Sequence, residues 1–166
     1  AYGGKNILIY LNELENNSEA AFYTSTSTRA NITNNIIKNN KYGVNFAELY
    51  GSYFTNNNLS ENKAGAIRIA GSEGSLSNSI IENNAIINNN GTALYAQISS
   101  SSIISNNFIN NTGIAIHLTE VYGGGPDNLV KNNYINGSYT GILLELSLIH
   151  ISEPTRLLSI SYAVFC

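Results

Sequence analysis

The sequence predicts an all-β chain wound as a right-handed parallel β-helix, a solenoid of about five to six coils truncated at both ends. Three observations predict it. Asparagine supplies 28 of the 166 residues, while charged residues make up only 11%, against about 25% in an ordinary globular domain. An asparagine pair recurs every twenty-odd residues. After each pair come short apolar segments of period two, with no helical periodicity between them.

Five copies align on those pairs: ITNNIIKNNKYGVNF from Ile32, FTNNNLSENKAGAIRI from Phe54, IENNAIINNNGTALYA from Ile81, ISNNFINNTGIAIHL from Ile104 and VKNNYINGSYTGILL from Val130. Their anchors are Asn35, Asn57, Asn84, Asn107 and Asn133, separated by 22, 27, 23 and 26 residues. Two positions beyond each anchor stands an apolar residue: Ile37, Leu59, Ile86, Ile109 and Ile135. A glycine follows in every copy (Gly43, Gly65, Gly91, Gly113, Gly141), and then apolar pairs such as Val44/Phe46, Ile67/Ile69, Ile114/Ile116 and Ile142/Leu144.

Period-two strands place these apolar residues on one face. Asparagine and glycine tolerate the left-handed backbone of sharp corners. One coil cannot bury its face alone, so coils stack at about 4.8 Å and identical asparagines form a hydrogen-bonded ladder. The anchors are therefore expected to be structural. A leucine-rich repeat has a similar period, but it requires a different order of leucines and asparagine and a helical return.

Ahead of the first clear copy, Asn16–Asn17 and Ala20–Tyr23 read as a degenerate coil, and residues 24–31 as a polar strand or loop. Residues 120–128 (EVYGGGPDN) are expected to bulge as a loop. There is no methionine, and a strand is already under way from Lys5 to Leu11, so the chain reads as a piece of a longer one. The repeat and its asparagines stop after Glu145. The string LSLIHISEPTR from Leu146 resembles a translated transposase-type sequencing adapter, and ISYAVFC from Ile160 resembles the flow-cell end of the same oligonucleotide. We expect residues 1–145 to be the β-helix and residues 146–166 to be a non-native tail. That tail holds Cys166, the only cysteine, and His150, one of two histidines.

With a net charge of −3 and no basic stripe, a nucleic-acid partner is not expected. No apolar run approaches the ~20 residues of a membrane span. No cofactor or metal site is expected, because residues 1–145 contain neither a cysteine nor a histidine cluster.

The repeat grammar over roughly residues 30–145 resembles the parallel β-helix repeats of the pectate-lyase-like superfamily. Its asparagine-rich, charge-poor form is similar to adhesin-like surface proteins of methanogenic archaea and some AT-rich bacteria. It is also similar to carbohydrate-binding or sugar-hydrolysing β-helix domains, and to periplasmic β-helix proteins linked to copper-site maturation. The resemblance implies an extracellular or cell-surface location and glycans as partners. Lyases and hydrolases of the superfamily use clustered carboxylates, and here Asp127 is the lone aspartate and the glutamates are scattered. Glu61 and Glu82 sit at different offsets from their anchors and are not expected to form a two-carboxylate site.

The expectation is accordingly a non-enzymatic surface β-helix, structural or adhesin-like. The alternatives are a piece of a polysaccharide lyase or hydrolase whose catalytic coils lie elsewhere, and a periplasmic β-helix of metal-site assembly. The candidate contact residues are Arg68 and His117, both expected to be exposed on strands, with Glu120, Tyr122 and Asp127 of the loop, where a tyrosine beside carboxylates suits sugar stacking. Six Asn-x-Ser/Thr sequons, at Asn16, Asn31, Asn58, Asn90, Asn110 and Asn136, are about what this composition produces by chance.

Overall fold

The computed structural model describes residues 6–25, 27–71, 76–111, 113–120 and 128–145. All of its regular structure is β-strand, arranged as six stacked coils. The first coil holds β1 (Ile7–Tyr10), β2 (Glu13–Glu15), β3 (Ala20–Thr24) and β4 (Ser27–Thr28). The second holds β5 (Ala30–Thr33), β6 (Ile36–Lys38), β7 (Tyr42–Phe46) and β8 (Leu49–Tyr50). The third holds β9 (Tyr53–Thr55), β10 (Asn58–Ser60), β11 (Gly65–Ile69) and β12 (Leu76–Ser77), and the fourth β13 (Ile80–Glu82), β14 (Ala85–Ile87) and β15 (Thr92–Ser100). The fifth holds β16 (Ile103–Ser105), β17 (Phe108–Asn110) and β18 (Ile114–Glu120), and the sixth β19 (Leu129–Lys131), β20 (Tyr134–Asn136) and β21 (Thr140–Glu145).

Equivalent strands pair in parallel from coil to coil and make three sheets: β1-β5-β9-β13-β16-β19, β2-β6-β10-β14-β17-β20, and a third built on β3, β7, β11, β15, β18 and β21. The stretch ahead of the first clear copy is thus a full coil rather than a degenerate one. Its ladder residues are Asn12 and Asn17, not the adjacent pair Asn16–Asn17.

The corners explain why asparagines come in pairs. At the corner between the first and second sheets, the first member of each pair takes the left-handed backbone, with φ of 56° at Asn34, Asn56 and Asn83 and 53° at Asn106. That conformation costs most L-residues about 1–2 kcal/mol, and asparagine tolerates it best after glycine. The second member turns inward and becomes a rung. The backbone N–H and the Nδ2 of Asn35 donate to Asn57 Oδ1 at 3.0 and 2.9 Å, and the same double donation runs from Asn12 through Asn84 and Asn107 to Asn133. The other Nδ2 hydrogen reaches a strand carbonyl, as in Asn84 to Phe54 O at 2.9 Å. The side-chain polar atoms of the buried rungs Asn35, Asn57, Asn84 and Asn107 of this ladder are thereby satisfied, as burial requires.

The corner between the second and third sheets repeats the device through Asn17, Asn40, Asn62 and Asn89. The corner that closes each coil uses serine instead: Ala30 N donates to Ser52 Oγ, Ser52 N to Ser79 Oγ, Ser79 N to Ser102 Oγ and Ser102 N to Asn128 Oδ1.

Between the ladders lies an apolar core of inward columns. Ile37, Leu59, Ile86 and Ile109 fill the second sheet, and Val44, Ile67, Leu94 and Ile116 the third, all buried. Phe22, Phe46 and Phe54 meet edge to face at 5.7 and 6.1 Å.

The glycines do not form the single column that the aligned copies suggest. Strand register pairs Gly65 with Tyr42 and Thr92, not with Gly43. The column actually holds Ala21, Gly43, Ala66, Ala93, Ala115 and Gly141, and at Gly43 a side chain would run into the Ala66 carbonyl of the next coil. The inward pair of the fifth coil is accordingly Ile116/Leu118, which pairs with Leu94/Ala96, rather than Ile114/Ile116.

Candidate functional site

Alternation along the third sheet sends every second side chain outward. In register these outward positions form a column of one residue per coil: Tyr23, Asn45, Arg68, Tyr95, His117 and Leu143. Arg68 and His117 therefore stand in the same column, two coils apart, with Tyr95 between them. At the spacing of parallel strands this separates them by about 10 Å.

The column is knit together by polar and ring contacts. Arg68 Nη1 donates to Asn45 Oδ1 at 3.1 Å. Tyr95 and His117 pack edge to face with ring centroids 5.0 Å apart. His117 Nε2 lies 3.0 Å from Glu145 Oε2, but off the line of a hydrogen bond, and Thr119 Oγ1 two residues on is buried without a partner. The expected exposure of both residues is only partly realised. Arg68 is half-buried and the His117 side chain keeps 16% of its surface, because the tyrosine and the neighbouring strands crowd them.

Beside Arg68 the outer face is hollowed into a cleft of about 210 Å³, lined by Tyr42, Ala64, Gly65, Arg68, Thr92 and Tyr95. Gly65 and Ala64 leave that space open, because neither carries a side chain long enough to fill it.

Tyr122 and Asp127 lie outside the described residues. Of Glu120 only the backbone is described, as the last residue of β18, paired with Ile98. Glu61 and Glu82 occupy different elements: Glu61 is the left-handed residue ahead of rung Asn62, whereas Glu82 faces out from the first sheet and accepts from Ser105 Oγ and Asn106 Nδ2 at 2.9 and 2.8 Å. The described glutamates of the first coil are engaged by lysines: Lys38 reaches Glu13 and Glu15 at 2.8 and 3.3 Å, and Lys41 reaches Glu19 at 2.9 Å. These contacts raise the pKa of Lys38, chiefly through the Glu13 hydrogen bond, and that of Lys41 through Glu19.

Reading the copies one by one missed Asn45, Tyr42 and Tyr95. The signal was there, since each follows its own anchor at the proper strand position. Aligning on glycine displaced Arg68 by one residue and Tyr95 by two relative to Asn45, which hid the column.

Residues 2–150 match the family described as periplasmic copper-binding protein (NosD). The chain belongs to the NosD family. The match spans all six coils, so the family's right-handed parallel β-helix and the stacked sheets seen here agree. Neither a curated protein nor a solved structure matches this NosD-family chain.

Proposed function

We propose that this chain is a non-enzymatic contact scaffold working outside the cytoplasm, and that it holds an extended glycan along the outer face of the third sheet. The observation that carries the reading is the column Asn45–Arg68–Tyr95–His117 beside its cleft: one side chain per coil, two polar groups followed by two rings, on a backbone fixed by ladders. A repeating ligand meets a repeating surface, and rings stack on tyrosine with little ordering entropy because the tyrosine is already packed. The family's periplasmic description supports a location beyond the inner membrane. Among the described strand pairs no carboxylate stands in register with another, which supports binding rather than hydrolysis.

Copper is the ligand that the family description names. The described residues do not fit it. Copper sites draw on thiolate, thioether and clustered imidazole. The chain has no methionine, its one cysteine lies outside the described residues, and His117 is the single described histidine. No group of three or more His, Cys, Asp or Glu side chains converges among the described residues. The second reading, a periplasmic part in metal-site assembly, is favoured by the family match alone, and on it these coils serve as the scaffold and not as the ligand set.

Affinity electrophoresis through gels containing xylan, dextran or polygalacturonate tests the proposal. We expect retardation by at least one polymer, weakened about tenfold by Tyr95→Ala. Migration unchanged in every gel would sink the glycan reading. A Cu(I) or Cu(II) titration showing tight binding lost in His117→Ala would establish the metal reading instead.

A further inference from the structure

We infer that the cleft beside Arg68 is a subsite for a carboxylate-bearing sugar, so that the ligand of the third-sheet face is an acidic glycan. The inference rests on the glycan reading above and specifies its chemistry.

Arg68 lies between Ile67 and Ile69, whose side chains are buried in the core, so its stem is anchored and its head is confined to the outer face. The guanidinium carries five N–H donors in a rigid fork. One nitrogen, Nη1, donates to Asn45 Oδ1 at 3.1 Å, which fixes the plane of the fork without neutralising it, because a side-chain amide carries no charge. Among the described residues no carboxylate is paired with Arg68, whereas Lys38, Lys41 and His117 all stand against glutamates. Arg68 is thus a half-buried cation held by a neutral partner and still able to take an anion.

The surroundings select the kind of anion. Tyr42 and Tyr95 line the cleft together with the small residues Ala64 and Gly65 and with Thr92. An inorganic ion would leave the aromatic walls unused. A pyranose ring fits against tyrosine while a ring carboxylate reaches the fork, and arginine binds carboxylate by two parallel hydrogen bonds. With a net charge of −3 the molecule as a whole repels a polyanion, so long-range attraction cannot stand in for the local site.

The test measures binding of the full chain to polygalacturonate fragments and to dextran fragments by calorimetry, for the parent, Arg68→Gln and Arg68→Lys, with thermal melts of each. We expect the acidic fragments to bind and the dextran to bind weakly or not at all. Both substitutions should weaken the acidic ligand about 10- to 100-fold, with lysine failing because it keeps the charge and loses the fork, while the melts stay together because the side chain faces out. Equal binding of both polymers, or acidic binding unaffected by Arg68→Gln, overturns the acidic subsite and leaves the glycan reading standing. Absence of binding to either polymer, with xylan also negative, overturns both.

Discussion

Asn84 donates twice to the same oxygen of Asn107, from its backbone N–H at 3.0 Å and from its Nδ2 at 2.9 Å. Its own Oδ1 receives the same pair from Asn57. Asn84→Ala would leave both donors of Asn57 buried without an acceptor, at about 1–3 kcal/mol each. We expect a loss of about 3–5 kcal/mol in urea unfolding. Asn83 precedes it in the left-handed region at φ 56° and carries no rung, so Asn83→Gly should change stability by less than about 1 kcal/mol. Equal losses at the two positions would refute the division of labour within the pair.

Gly43 and Gly141 share one column of the third sheet but differ in surroundings. A Cβ on Gly43 would clash with the carbonyl oxygen of Ala66 in the next coil, whereas one on Gly141 meets nothing within 4 Å. Gly43→Ala should therefore cost about 1–3 kcal/mol through forced separation of the coils, and Gly141→Ala should lie within about 0.5 kcal/mol of the parent. Matched denaturation curves for the two variants decide it, and similar losses would argue against this register.

The contrast between those glycines marks how far the sequence could be read. The Asn-Asn pairs reveal the coil because they perform two backbone tasks in adjacent residues, and few other folds demand both. The serine ladder of Ser52, Ser79 and Ser102 left no such mark, since serine is common and its preceding residue varies from Gly51 to Asn78 to Ser101. The first coil was dimmed because Leu11 takes the left-handed place that asparagine fills elsewhere. At the candidate site, Arg68 and His117 were legible as outward residues by alternation. Their common column with Asn45 and Tyr95 was not, because register is set by backbone pairing across coils of unequal length and cannot be read within one copy.

Residues 146–166 share neither the repeat nor its composition, and we propose that they contribute nothing to the solenoid. The family match runs to residue 150, five residues beyond the last described strand. Deleting residues 146–166 should leave the β-sheet circular dichroism unchanged and move the melting temperature by less than about 1 °C. A drop of several degrees would show that the segment packs on the coils and is native to them.

Lys38 gives the solenoid a pH dependence on the alkaline side. Its hydrogen bonds to Glu13 and Glu15 raise its pKa above the ordinary 10.5, so the folded chain holds this proton more tightly than the unfolded chain. The stabilisation is fully present below 10.5 and is lost as pH climbs from there through the raised folded value, because deprotonation removes the charge that both glutamates attract. Lys41 with Glu19 adds a parallel contribution of the same sign. Lys41 is exposed and Lys38 keeps 35% of its side-chain surface in solvent, so the effect is small and screened by salt. Lys38→Met should lower the urea midpoint slightly at about pH 9 in low salt, and the difference from the parent should vanish near pH 12. A difference that persists undiminished at the higher pH would assign the stabilisation to the packed stem of Lys38 rather than to its charge.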